Sequence, residues 1–141
     1  MEKRLDKNVT IITGGGKGIG FGIAKAFAKE GSNLVITGRT ESRLIAAKER
    51  LEEEYGIEVL AIVADGADEA AINNVVDQTI KKFGKITTLV NNAQVSKSGL
   101  PLVDHTREDI DLALHSGLYA AFFYMRDCYP YLKESKGSVI N

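Results

Sequence analysis

Short runs of β-branched and aliphatic residues alternate along the chain with longer stretches whose apolar positions recur every three or four residues. The short runs cover residues 9–13, 33–37, 58–63 and 86–90, and a fifth begins at Gly137 and runs toward Asn141. The spacing predicts helices over residues 18–30, 41–55 and 68–83, and a long one from Thr106 toward Lys133. In the second helix Leu44, Ala47 and Leu51 share one side; in the third Ile72, Val75, Val76, Thr79, Ile80 and Phe83 do so. Gly31-Ser32, Gly56 and Gly84 supply stop signals. Thr106 and Asp109 have the spacing of a capping box, and residues 96–104 read as a loop with one helical turn. Repeated strand–helix units of this length imply an α/β fold with a doubly wound parallel sheet. One domain is expected over residues 1–141.

Composition changes this picture little. Hydrophobic residues make up 44% and charged residues 26% of 141 positions, as in an ordinary soluble domain. The net charge of −1 gives no bulk attraction to nucleic acid or an anionic membrane. The first residues lack an apolar leader, and no apolar run is long enough to span a bilayer. A cytoplasmic location is therefore expected, without membrane or nucleic-acid partners. Cys128 is the single cysteine, which excludes an internal disulfide and a cysteine-based zinc site. No metal site is expected.

The candidate chemistry lies between the first run and the first helix. There the chain reads Thr13-Gly14-Gly15-Gly16-Lys17-Gly18-Ile19-Gly20. A strand, a glycine-rich turn and a helix in this order suit a nucleotide phosphate, because the backbone can approach it and the helix N-terminus offers free N–H groups. A phosphate loop of the other common type needs Lys followed by Ser or Thr, and here Gly18 follows Lys17. A turn used only for tight packing is the bland alternative. It has little reason to carry five glycines in the seven positions 14–20, given their entropic cost.

The same residues match T-G-x-x-x-G-x-G, and Asn91-Asn92-Ala93 closes another apolar run. Together they resemble the short-chain dehydrogenase/reductase family, including the bacterial 3-oxoacyl-carrier-protein reductases, over essentially the whole chain. The resemblance implies a Rossmann-like sheet of order 3-2-1-4-5, cut short after strand five, with the ligand crevice between strands one and four. It implies hydride transfer between a nicotinamide and a small carbonyl or alcohol substrate. The cofactor-binding residues it implies are Gly14, Gly16, Lys17, Gly18, Ile19 and Gly20 in the turn, Asp65 and Gly66 past strand three, and Asn91, Ala93 and Gln94 past strand four. Asp65 would accept from the adenine amino group, although it also suits a plain turn into a helix capped by Asp68. Asn91 would tie strand four to its neighbours through side-chain-to-backbone bonds.

Cofactor choice turns on the end of strand two. NAD-selective enzymes usually place an acid there to hold the ribose hydroxyls. Here Gly38 stands in that place, Arg39 follows, and Lys17 lies in the turn. Two cations suit an extra ribose phosphate. In the family, basic residues at these positions go with NADP(H), which is the expected cofactor, with NAD(H) second.

Two positions depart from the family pattern. Gln94 stands where the family has Gly, and Gly117 aligns with an Asn of its proton relay, leaving Ser116 or His115 to replace it. The family's catalytic Ser and Tyr-x-x-x-Lys fall beyond Asn141, so no catalytic residue is assigned. Tyr129 and Lys133 show the spacing but precede strand five, with Pro130 breaking the helical bonding between them. The parent is expected to be an NADP-dependent oxidoreductase and this stretch alone inactive. The alternative is a non-catalytic nucleotide-binding, regulatory or assembly module. Ile110, Leu114, Leu118, Phe122 and Met125 form an apolar stripe on the long helix. The family uses that helix to pair subunits, which implies a homo-oligomer through residues 106–133; otherwise the stripe packs on the sheet.

Overall fold

The computed structural model describes residues 2–141; Met1, which the expected domain includes, lies outside the described residues. The elements are β1 (Val9–Ile12), α1 (Gly18–Lys29), β2 (Asn33–Gly38), α2 (Glu41–Tyr55), β3 (Val59–Val63), α3 (Glu69–Phe83) and β4 (Thr88–Val90). A 3-10 turn (Leu102–Asp104) leads to α4 (Arg107–Ala113), a π-helical segment (Leu114–Tyr119), α5 (Ala120–Ser135) and β5 (Ser138–Ile140). All strands are parallel, in the order β3-β2-β1-β4-β5.

Alternation along β1 divides the core. Ile11 faces a cluster built with α3 and α5, and Ile12 faces one built with α1 and α2. Both faces of β1 are covered, so all four of its residues are buried. β5 is the outer strand, and its three residues are exposed. No helix among the described residues is long and apolar enough to cross a membrane.

The helix termini follow local chemistry. Asp68 caps α3 by accepting the N–H groups of Ala70 and Ala71, and Thr106 with Asp109 forms the capping box of α4. Gly56 and Gly84 end α2 and α3 in the left-handed conformation.

Three expectations need correction. Strand and helix limits shift by one or two residues, most at β4, which pairs only from Thr88. The long helix is interrupted by the π segment, and it does not break at Pro130: α5 runs on to Ser135. Proline removes one donor and leaves the turn standing, so Tyr129 and Lys133 do lie one turn apart on one face. The apolar stripe does not pack on the sheet. Ala120, Tyr124, Cys128 and Leu132 form the buried face, while Ile110, Leu114, Leu118 and Phe122 are exposed. Only Met125 of the stripe is packed against the core.

Candidate functional site

A cleft of about 1010 Å³ opens at the C-terminal ends of the strands, where strand order reverses between β1 and β4. Open parallel sheets bind ligands at such a switch point. Every residue proposed from sequence as cofactor-binding lines it, from Gly14 in the turn to Gln94 beyond β4. Tyr129, Lys133 and His115 do not. His115 instead stacks edge-on against Tyr119, with ring centroids 5.0 Å apart.

The turn needs its glycines for two different reasons. Gly14 and Gly18 have φ of +66° and +55°, a region costly for other residues. At Gly20 a Cβ would stand 2.1 Å from the Gly14 carbonyl oxygen, so only a bare α-carbon fits. The turn delivers the start of α1 to the cleft. Lys17 at the N-cap makes no side-chain cap, and the first turn carries no acid. The Phe21 N–H returns to the Lys17 carbonyl, which leaves the N–H groups of Gly18, Ile19 and Gly20 without helical partners. α3 and α4 carry side-chain caps and α2 has Glu41 in its first turn, whereas α1 has neither cap nor acid, as an anion site requires.

One end of the cleft is cationic. Lys17, Arg39 and Arg43 are exposed along it, and none enters an ion pair among the described residues. Arg43 was not singled out from sequence. The available signal was its place: four residues after Arg39, in the first turn of α2. Gly38 ends β2 with its α-carbon against Leu44, whose Cδ2 would lie 3.3 Å from an added Cβ. Thr40 begins α2 without capping it, so its hydroxyl is free toward the same space.

Asp65 takes the turn role and borders the cleft as well. One carboxylate oxygen accepts the Ala67 N–H at 2.9 Å and shapes the turn. The exposed side chain borders the cleft, leaving its second oxygen for a donor. Gly66 packs under α5, where a Cβ would approach that of Ala120 to 3.2 Å.

The asparagine pair differs from expectation. Asn92, not Asn91, ties β4 to the turn: its Nδ2 donates to the carbonyls of Thr13 at 3.0 Å and Gly14 at 3.4 Å. Asn91 donates to the Asn141 side chain at 2.9 Å, and its Oδ1 is buried without a partner among the described residues. Adjacent side chains at a strand end point to opposite sides, and it is the second that faces β1. Gln94 needs no positive φ, so its side chain fits the local backbone. Ser116 is buried; its Oγ accepts the Val95 N–H at 2.9 Å and lies 2.8 Å from the Val95 carbonyl. Tyr124 reaches the cleft wall from α5, and burial pushes its hydroxyl up to about 12. It is a neutral hydrogen-bonding group at any ordinary pH.

The family model described as short chain dehydrogenase matches residues 8–141. The chain belongs to the short-chain dehydrogenase family. Among short-chain dehydrogenase relatives, a 12alpha-hydroxysteroid dehydrogenase of Clostridium sp. is 55% identical over 143 residues, covering 97% of this chain and 55% of that protein. L-sorbose reductase from Gluconobacter frateurii, solved with NADPH and L-sorbose, matches with a TM-score of 0.92 at 31% identity, over 99% of this chain and 53% of that one. A NAD+-bound xylitol dehydrogenase matches with a TM-score of 0.91 at 27% identity, over 97% of this chain and 53% of that one. The chain thus spans about half the length of the short-chain dehydrogenase relatives it matches. Solved neighbours carry either nicotinamide dinucleotide, so the fold alone does not choose between them.

Proposed function

We propose that this chain is the NADP(H)-binding unit of an oxidoreductase that moves hydride between a nicotinamide and the carbonyl or alcohol carbon of a small molecule. The observation that carries the cofactor choice is the set of three cations, Lys17, Arg39 and Arg43, without ion-pair partners among the described residues, beside a β2 end where Gly38 offers no acid. A ribose phosphate brings up to two negative charges and matches a guanidinium bidentately. An acid at that place would repel it.

The remaining roles follow from the groups left free. The N–H groups of Gly18, Ile19 and Gly20 hold the diphosphate at the open end of α1. Gly14, Gly16 and Ala93 keep that approach free of side chains. The second oxygen of Asp65 accepts from the adenine amino group, with Gly66 giving the base room. Asn91 and Gln94 line the stretch beyond β4. The bound cofactor gives the hydride to a carbonyl or takes it from an alcohol. The 55% identity to a 12alpha-hydroxysteroid dehydrogenase supports a hydroxysteroid or its ketone as substrate. The exposed stripe of Ile110, Leu114, Leu118 and Phe122 supports pairing of subunits through this helix.

The test is a titration of the intact protein with NADPH and NADH, for the wild type and Arg39→Asp. The variant is expected to lose about a hundredfold in NADPH affinity and little in NADH affinity, as removal and reversal of a phosphate-paired charge should give. Equal losses for both cofactors would remove the ribose-phosphate argument. NADPH binding without turnover of any hydroxysteroid or ketone would favour the binding-module reading.

A further inference from the structure

We propose that the Gln94 carboxamide contacts a ribose hydroxyl of the bound dinucleotide, and that Gly117 is bare to receive the side chain that carries it. The inference rests on the dinucleotide reading above. Its basis is the close approach of the two residues. A Cβ added to Gly117 would stand 3.4 Å from Cγ, 3.7 Å from Cδ and 3.8 Å from Nε2 of Gln94. The end of the glutamine therefore covers the α-carbon of Gly117. Any side chain larger than a methyl group at 117 would compete for the space Gln94 fills. One amide fits there, from one side or the other.

The surroundings fix this arrangement. Ser116 precedes Gly117 and Val95 follows Gln94, and the Ser116 hydroxyl joins them by accepting the Val95 N–H at 2.9 Å. That bond holds position 94 opposite position 117. The glycine falls inside the π segment Leu114–Tyr119, a widened turn of the kind found at functional sites. Gln94 also follows Ala93, whose Cα and Cβ lie 3.2 Å from the Cβ position of Gly14 in the phosphate turn. A ligand leaving that turn along β4 meets Gln94 next.

The chemistry of this wall points the same way. Gln94 and Gly117 both line the cleft, among Ala93, Ala113, Leu114 and Leu118. These neighbours are apolar, and the polar side chains beside them, Asn92 and Ser116, are bonded to main chain. The carboxamide brings two donors and an acceptor, is exposed, and takes part in none of the side-chain hydrogen bonds among the described residues, unlike nearby Ser116. A hydroxyl that both gives and takes a hydrogen bond is its natural complement.

The test compares wild type, Q94M, Q94G, G117N and the swapped pair Q94G/G117N in the intact protein, by NADPH titration and by thermal unfolding without nucleotide. Methionine keeps the unbranched chain over Gly117 and removes the hydrogen bonds. Q94M is expected to unfold at the wild-type temperature and to bind NADPH about fivefold more weakly. G117N is expected to weaken binding by crowding Gln94, and the swapped pair to return to within about threefold of wild type. Wild-type NADPH affinity in Q94M, or losses that simply add in the swapped pair, would overturn the inference while leaving the cofactor reading intact. A wild type that binds neither NADPH nor NADH would overturn both.

Discussion

Asn92 and Thr13 hold each other by reciprocal hydrogen bonds. The Asn92 side chain donates to the Thr13 carbonyl at 3.0 Å, and the Thr13 hydroxyl accepts the Asn92 main-chain N–H at 3.0 Å. The same hydroxyl accepts the Ala93 N–H at 2.9 Å and lies 3.4 Å from the Val90 carbonyl. The end of β4 and the start of the glycine turn are thereby one rigid piece. The glycine turn takes its shape from a residue nearly eighty positions away, and the cleft opens where the two meet.

Thr13→Val removes this hydroxyl and keeps its shape. Two main-chain N–H groups then lose their acceptor at a largely buried place, which costs about 2–3 kcal/mol. Urea unfolding is expected to show that loss, with Thr13→Ser recovering most of it. A valine variant as stable as the wild type would mean that water replaces the hydroxyl without penalty.

Most of the fold was legible because its signals are local. Asp68 and Thr106 announce their helices within three residues, and the glycines of the turn are spaced for one bend. The features that escaped depend on distant geometry. Which of Asn91 and Asn92 faces β1 is set by the pleat at the end of β4, and two adjacent asparagines look alike in sequence. The π segment leaves the apolar periodicity almost unchanged, so the long helix reads as continuous. Pro130 looks like a stop, yet packing of Tyr124, Cys128 and Leu132 on either side of it carries α5 through. Arg43 joins the cation cluster only because α2 starts at the cleft rim.

Two glycines of the turn should separate folding from binding. Gly20→Ala puts a Cβ against the Gly14 carbonyl, and also 2.6 Å from Asn92 Nδ2, so backbone must move. It is expected to cost about 3 kcal/mol or more and to abolish NADPH binding. At Gly18 a Cβ meets nothing within 4 Å, and the φ of +55° is the only obstacle. Gly18→Ala is expected to cost about 1 kcal/mol in stability and to weaken NADPH binding more than that, because the methyl group enters the anion site. Equal binding losses per unit of stability in both variants would remove the distinction.

The capping box of α4 gives an acid-sensitive element. The Thr106 N–H holds the Asp109 carboxylate below its ordinary value; partial burial opposes this, and Lys97 and His105 add to it. A depressed carboxylate stabilises the folded state above its unfolded pKa and loses that effect as pH falls through the folded value. Asp109→Asn is therefore expected to destabilise the protein at neutral pH, with the gap to wild type closing as pH falls through the unfolded carboxylate value and then the depressed folded one. Chemical unfolding across that range checks it. A gap independent of pH would show that shape rather than charge makes the cap.

Cys128 offers a reporter for both folding and cofactor. It is fully buried against the sheet, and burial, with Asp127 beside it, pushes its thiol up to about 12. At pH 8 the native thiol stays protonated, and the sulfur is buried away from reagent. Labelling by an aromatic disulfide must then proceed through opening of the α5–sheet contact. In the intact protein, at this thiol, labelling should run at least about a thousandfold slower than in urea, following the unfolding equilibrium. A ligand that binds only the folded state lowers the open fraction by the factor 1 + [L]/Kd. NADPH at a hundred times its dissociation constant is thus expected to slow labelling of Cys128 about a hundredfold further, and NADH at the same concentration much less. Rapid labelling in the absence of denaturant would mean that α5 leaves the sheet far more often than its buried face implies. Slow labelling indifferent to NADPH would mean that the opening which exposes Cys128 leaves the cofactor cleft closed.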